Sequence, residues 1–452
     1  MSTSNIPQAE KIAHKIIKNN DIRIDNYYWL KDKNNPKTIK YLKEENQYLE
    51  NKLQDTKKWQ EELFKELKSR INEVDLSVPE KIDNYYYYQK FNKGNQYPIY
   101  CRKLKSLKAK EEIILDCNKL SAKAKYFDLG ATSISPNHQY FAYSIDTNGS
   151  EKYTLFIKNL KNGKILKEEI TDHYGSIAWS KNNDYLFYNK LNQNQQPDRI
   201  FRHKLNTNQQ EDTCIYHEKD PRFFISVSST RSQEYILINI HGNNMSETWF
   251  TNANTPLEEF KLFQKREKDI EYNIDHRDNF FYIDTNFKAT DFQIMKTPVN
   301  KTENKNWKTV FKHSPGKLVE KVICLKNHLV IFRRENGLKK IIIKNYKDEK
   351  NILVNFPEEA YSANPSSNHN FNAKHLRFSY SSFTSPNTIY DCNLNTGKLT
   401  VKKKQKIPVK YNSKIYEVKR IFAKSYDGKK IPISLFYKKN LFKKDGTNPL
   451  YL

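Results

Sequence analysis

The 452 residues carry 78 Lys and Arg against 52 Asp and Glu, a formal charge of +26, with 37% hydrophobic and 13% aromatic content. That composition excludes a disordered chain and leaves room for two or three domains with a sizeable core. Only 11 glycines occur and the nearest two, Gly163 and Gly175, stand 12 apart, which excludes Gly-x-Ser-x-Gly, Gly-x-Gly-x-x-Gly and the phosphate-binding P-loop, each of which needs two glycines within a few residues.

The segment Met1–Glu10 lacks the apolar core of a signal peptide, and no apolar run reaches membrane-spanning length. The first 75 or so residues show no strand repeat. Asp25-Asn26-Tyr27-Tyr28-Trp29-Leu30 is an aromatic knot, and Asn34-Asn35-Pro36 reads as a helix start with proline in the first turn. Apolar Ile39, Leu42, Tyr48, Leu49 and Leu53, then Trp59, Leu63, Leu67 and Ile71, recur at helical spacing and predict two amphipathic helices, whose stripes would ordinarily be a core face but have no obvious partner within the chain. Ser77-Val78-Pro79 breaks that pattern.

From there a unit repeats. Ser135-Pro136-Asn137-His138-Gln139-Tyr140-Phe141-Ala142-Tyr143 returns as Ser180-Lys181-Asn182-Asn183-Asp184-Tyr185-Leu186-Phe187-Tyr188, a polar turn followed by an aromatic strand. Looser copies of the strand begin near Tyr235, Phe280, Leu329 and Leu376, with an earlier one in the run Tyr85 to Tyr88. The anchors Tyr86, Tyr140, Tyr185, Tyr235, Phe280, Leu329 and Leu376 step by 54, 45, 50, 45, 49 and 47 residues. A second motif, an apolar and aromatic pair with Leu four residues after the aromatic, stands at Ile99–Leu104, Leu155–Leu160, Ile200–Leu205 and Ile389–Leu394. Strand pairs at this period are the signature of a β-propeller, and the seven units predict a seven-bladed ring over residues 77–408.

After Lys406-Ile407-Pro408 the repeat stops. Arg420 to Ser425 and Ile431 to Tyr437 read as a hairpin across Asp427-Gly428, and Asn448-Pro449-Leu450-Tyr451-Leu452 as the start of an apolar strand. Lysine is spread along the chain with abundant Asn, Ile and Tyr, whereas a nucleic-acid footprint clusters, so the charge argues against a nucleic-acid partner. Cys101, Cys117, Cys214, Cys324 and Cys392 are odd in number and far apart, which argues against a disulfide framework or zinc site and for a reducing compartment. Ser314-Pro315-Gly316-Lys317 matches Ser-x-x-Lys without its companion motifs, and Asp275-His276 has no nucleophile turn to serve. No residue is assigned a catalytic, cofactor-binding or metal-binding role.

The chain resembles the N-terminal part of the oligopeptidase B branch of the prolyl oligopeptidase family of serine peptidases, from about Ile6 to Leu452. The matching stretches include Arg23-Ile24-Asp25-Asn26-Tyr27-Tyr28-Trp29-Leu30-Lys31-Asp32, Tyr41-Leu42-Lys43-Glu44-Glu45-Asn46, Tyr97-Pro98-Ile99-Tyr100-Cys101-Arg102, Arg202-His203-Lys204-Leu205 and Pro432-Ile433-Ser434-Leu435. The resemblance implies a mainly β fold: an N-terminal α-helical arm (1–76), a seven-bladed β-propeller (77–408) and the first strands of an incomplete α/β-hydrolase domain (409–452). In such proteins the arm packs on the hydrolase domain, the propeller admits only short peptides, and the catalytic Ser, Asp and His lie in the last third, beyond Leu452. No catalytic residue therefore carries over, and the expectation is an inactive portion of a peptidase that cleaves after Lys or Arg. Its expected partners are short basic peptides, once a separately encoded C-terminal hydrolase fragment completes it, with no membrane, no cofactor and a cytoplasmic location. The rival readings are a non-catalytic propeller that binds peptides or proteins, and a basic propeller that binds nucleic acid.

Overall fold

The computed structural model describes residues 6–451. It divides into two compact units, Met1–Asn72 with Ile407–Val409, and Glu73–Lys406 with Lys410–Leu452.

The first unit begins with a hairpin that the sequence reading missed, His14–Lys18 paired with Asp21–Asp25. Its two-residue turn, Asn19-Asn20, takes positive φ at both positions (53° and 63°), the conformation that matches strand twist and that Asn tolerates. The two expected helices follow as α1 (Pro36–Lys52) and α2 (Lys57–Ser69). Asn35 caps α1 by accepting from the Lys37 N–H at 3.0 Å, with Pro36 in the first turn. The Trp29 indole donates to the Glu10 carbonyl (2.9 Å), and His14 stacks on Tyr28 with centroids 3.8 Å apart. The apolar stripe is not a core face here: α2 buries no residue, and Leu42, Leu49, Trp59 and Leu67 are exposed.

The second unit is built on the repeated turn. In Ser135–Tyr140 the serine hydroxyl accepts from the Tyr140 N–H at 2.9 Å and donates to the Asn137 carboxamide at 2.7 Å. The same pair of bonds recurs at Ser180 (3.0 and 2.6 Å), and Thr230 accepts from Tyr235 at 3.1 Å with Ser232 in the asparagine's place. The fourth residue of each turn, His138, Asn183 or Gln233, adopts positive φ near 60° to 68°. A side-chain oxygen thus satisfies a backbone donor that a reversing chain leaves unpaired. Each anchor aromatic or leucine then falls within one residue of the start of a strand. A further bond ties the end of the third strand of a unit to the residue entering its second: Lys105 to Asn84, Leu160 to Gln139, Leu205 to Asp184, Ala253 to Glu234, Val299 to Asn279, Tyr346 to Asn327, Leu394 to Lys374, at 2.6–3.2 Å.

The result is a β-propeller, although its hydrogen bonding departs from seven separate blades. Five sheets stand alone, one of five strands within residues 75–116 and four of four strands within residues 224–404. Residues 128–217 form one continuous seven-stranded sheet. The reason is the strand Ile170–Trp179, which pairs through Ile170 and His173 with the strand before it and through His173 and Ile177–Trp179 with the strand after it. Asp172 and Gly175, at φ 56° and 81°, bend it between the two pairings.

Beyond the ring, Tyr416–Lys424 and Lys430–Lys438 make the expected hairpin, longer than foreseen, across Gly428 at φ 80°. The expected strand at Asn448–Leu452 does not form. Residues 448–451 pair with no strand, Leu450 and Tyr451 are fully or largely exposed, and Leu452 lies outside the described residues.

Apart from a small cluster of Tyr88, Ile99 and Cys101 inside the first sheet, the apolar clusters of the ring join consecutive units. Phe141 and Tyr143 pack on Ile114 and Leu115, Leu237 and Phe250 on Phe281, Tyr282 and Ile294 on Leu329 and Ile331, and Val330 and Ile341 on Phe378 and Leu376. The contact of last with first unit is polar instead. Lys403 reaches Asp75 (2.6 Å), and Arg377, paired with Asp391 at 2.8 Å, also donates to the Pro79 carbonyl at 2.9 Å.

One buried charge cluster sits in the seven-stranded sheet. His203, fully buried, places Nδ1 2.7 Å from Asp212 and Nε2 3.9 Å from Glu168, and the Tyr188 hydroxyl donates to Asp212 at 2.7 Å. Burial favours the neutral ring, but the hydrogen bond to Asp212 and the nearby Glu168 carboxylate outweigh it and raise the His203 pKa from 6.5 to about 9. A raised folded value means that the imidazolium's stabilisation is complete below pH 6.5 and is lost as pH rises through about 9. We expect this contribution to lower the wild-type melting temperature between pH 6.5 and about 9. His203→Gln, which leaves two buried carboxylates uncompensated, should cost ~3–5 kcal/mol in urea unfolding at pH 7 and remove that pH dependence.

Candidate functional site

The innermost strands of the units surround an axial channel of about 700 Å³. A strand presents alternate residues to one face, so Phe224–Ser229 turns Ile225 and Val227 into the sheet packing and Ser226 and Ser228 to the lumen. Tyr272–Arg277 likewise supplies Asn273 and Asp275, and the neighbouring strand Phe280–Thr285 supplies Asp284. Ser133, Trp179, Asn239, His241 and Cys324 complete much of the wall, and Arg231 and His369 stand at its rim with the turns.

Within the lumen Asp275 accepts from the Arg231 backbone N–H at 2.9 Å, and its other oxygen lies 3.7 Å from Arg231 Nε. Burial raises the Asp275 pKa, an effect that Arg231 offsets only in part. Asp284 accepts from Asn273 Nδ2 at 2.9 Å, and burial raises its pKa from 3.8 to about 6. Burial alone lowers the pKa of His241. Asn239 donates to Ser228 Oγ at 2.9 Å. The lumen is therefore a polar passage with carboxylates in its wall, suited to hydrogen-bonding an extended chain and to attracting cationic groups.

The nucleophile candidates do not assemble. Asp275 and His276 are neighbours on one strand and so point to opposite faces. His276 Nδ1 lies 2.9 Å from Ser232 Oγ, but that hydroxyl also belongs to the Thr230 turn, and the ring is packed on Tyr235 and Phe281 rather than oriented by a carboxylate. Burial lowers the His276 pKa. Lys317 of the Ser314 motif faces Glu335 at 3.4 Å, which leaves no free amine to act as base. Among the described residues no three His, Cys, Asp or Glu side chains form a metal-binding group. The five thiols are free, four of them buried. The sequence reading assigned Asp275 no functional role, and the lumen as a whole went unread. The available signal was the polar alternation just ahead of each turn, as in Ser226-Val227-Ser228.

Asp284 gives this geometry a test. Because its folded pKa is raised, the stabilisation from holding a proton is complete below pH 3.8 and lost as pH rises through about 6. Asp284→Asn keeps the bond to Asn273 without the charge. We expect it to raise the melting temperature at pH 8 and to leave it unchanged near pH 3.5, and an equal shift at both would contradict the buried carboxylate.

Comparison with known proteins places this architecture. A family profile described as "Prolyl oligopeptidase, N-terminal beta-propeller domain" matches residues 7–405. The chain is 28% identical to Protease 2 of Moraxella lacunata, over 99% of its own length and 65% of that protein's. It is 32% identical to dipeptidyl aminopeptidase BI of Pseudoxanthomonas mexicana, over 98% and 63%. Among solved structures it is similar in fold to oligopeptidase B from Leishmania major (TM-score 0.90, 24% identity, 97% of this chain and 66% of that one). It is also similar to oligopeptidase B from Trypanosoma brucei with covalently bound antipain (TM-score 0.89, 25% identity, 97% and 66%). The chain thus spans 63–66% of the length of these relatives.

Proposed function

The chain belongs to the prolyl oligopeptidase family, through its N-terminal β-propeller domain and in the oligopeptidase B branch, and from that premise we propose that it is the access-controlling portion of a serine peptidase. In this reading short peptides reach a catalytic centre through or beside the axial channel, and the catalytic Ser, Asp and His come from residues outside this sequence. The observation that carries it is the polar lumen of about 700 Å³ at the centre of a propeller whose own Ser, His and Asp residues form no triad. The carboxylates Asp275 and Asp284 in its wall favour peptides with Lys or Arg side chains. A cytoplasmic location agrees with five free thiols, and among the described residues no helix is long and apolar enough to cross a membrane.

The domain division follows: residues 1–76 as the arm, 77–408 as the propeller and 409–452 as the opening strands of an α/β-hydrolase domain. We also read the seven-stranded sheet as two blades sharing the strand Ile170–Trp179, which gives seven units. The bond from third strand to second-strand entrance, present in seven places, supports that count, as do the paired clusters on either side of the shared strand. The exposed stripe Trp59, Leu63, Leu67 and Ile71 is of the kind that another chain segment covers, here a C-terminal hydrolase fragment.

We expect the purified chain to show no hydrolysis of short Arg or Lys substrates, and hydrolysis to appear when it is mixed with a fragment carrying the hydrolase region. Leu63→Asp with Leu67→Asp should abolish both assembly and that activity while leaving the propeller folded. Serine-inhibitor-sensitive turnover by the chain alone, or unchanged assembly by the double variant, would refute the reading. A non-catalytic peptide-binding propeller is the second reading, favoured by a lumen that exists without any triad. Saturable binding of an Arg-containing hexapeptide together with failure to assemble would select it.

A further inference from the structure

The turns that join first to second strands hold five residues at 135–139, 180–184 and 230–234, two at 278–279 and three at 325–327. The last is different: nine residues, 366–374, separate Pro365 from His375. This extra length is not loose. Asn368 is buried, its carboxamide donates to the Ser366 and Arg377 carbonyls at 2.7 and 2.8 Å, and it accepts from the Arg377 N–H at 2.8 Å.

The segment is also tied to three other sheets. Its His369 N–H and Nδ1 meet the Glu80 carboxylate of the first sheet at 2.7 and 2.8 Å. Its Phe371 carbonyl accepts from the Lys326 N–H, next to the strand Lys317–Cys324, at 3.0 Å. Its Asn368 carbonyl accepts from Arg231 Nη1, which follows the strand Phe224–Ser229. Two whole sheets lie between that strand and this segment along the chain, so the Arg231 bond crosses the ring's interior instead of joining neighbours. Asp275, from the sheet after Arg231, fixes the arginine from beneath through its backbone N–H and guanidinium. Arg231 and His369 both line the channel.

We propose that residues 366–374 are a strap across one mouth of the axial channel and that Arg231 is its latch, so that release of the Arg231–Asn368 bond admits peptide-sized molecules to the lumen. The inference rests on the channel reading given above and adds to it the element that sets the size limit. The strap is held by Glu80 and Lys326, by the bonds of Asn368 to Ser366 and Arg377, and across the opening by Arg231. Loss of the arginine removes the tie that spans the opening while the other ties stay in place.

The test places a reporter thiol in the lumen of the full chain, Ser228→Cys, and follows modification at that site by peptide mapping. Two reagents are used, a small alkyl methanethiosulfonate and a maleimide carried on a decapeptide. Three backgrounds are compared: the native strap, Arg231→Ala, and replacement of 368–373 by Asn-Gly. The small reagent should react equally in all three, whereas the peptide reagent should react about tenfold faster or more in both altered backgrounds, the factor expected for one lost charge-assisted hydrogen bond. Equal rates for the peptide reagent in all three, fast or slow, overturn the strap. If the small reagent also fails to reach Cys at 228, the channel reading itself fails, which separates the two outcomes. Should Arg231→Ala not fold, the strap replacement alone decides.

Discussion

A four-stranded blade has two apolar faces and no means of covering either by itself, and the second unit of this chain is the solution to that constraint. Aromatic and β-branched residues on both faces of the second strands, among them Phe187, Tyr188, Ile236, Ile238, Phe281 and Ile283, are all but fully buried because the next unit lies against them. Burial of each such side chain contributes roughly 1.5–3 kcal/mol, and that gain exists only while the neighbour is in place. Local turn chemistry sets the register of each unit, and contact between units supplies the stability.

Two features follow from closing such a row of units into a ring. Where the last unit meets the first, the packing changes character: Lys403 with Asp75 and Arg377 with Asp391 and Pro79 stand where apolar clusters join the other units. Ion pairs of this kind, partly in contact with solvent, contribute less than buried apolar area. At the centre, inner strands that must splay around an axis cannot interdigitate, and several of their inward positions are polar, among them Ser226, Ser228, Asn273 and Asp275. The lumen and its strap are thus products of the same geometry that forces the blades together.

The strand repeat was legible because it is local. Ser135 and Ser180 make the same turn with the same partners, and five residues later the same strand begins, so sequence spacing reports structure directly. What escaped notice depends on relations between distant residues. Only the sheet reveals that Ile170–Trp179 runs on from one pairing to the next. The Asn19-Asn20 hairpin carried a usable signal, paired asparagines between β-branched residues, yet it lacked the repeat that drew attention elsewhere. The lumen's serines and carboxylates alternate with core residues over only three or four positions, too short for periodicity to mark. The strap was invisible in principle, since nine mostly polar residues at 366–374 look like any loop until Arg231, 137 residues away, is found beside Asn368. The repeat pointed to the propeller and family likeness to the arm and hydrolase strands, whereas the residues of the channel came from the structure alone.

If packing between units is what stabilises them, the ring opens as one body. Native-state hydrogen exchange at the second-strand amides of Tyr143, Tyr188, Ile238, Ile283, Ile331 and Phe378 measures this directly. The account predicts one common free energy of opening for all six. Separate values, rising stepwise from one unit to the next, would show blades that are stable on their own and would contradict it.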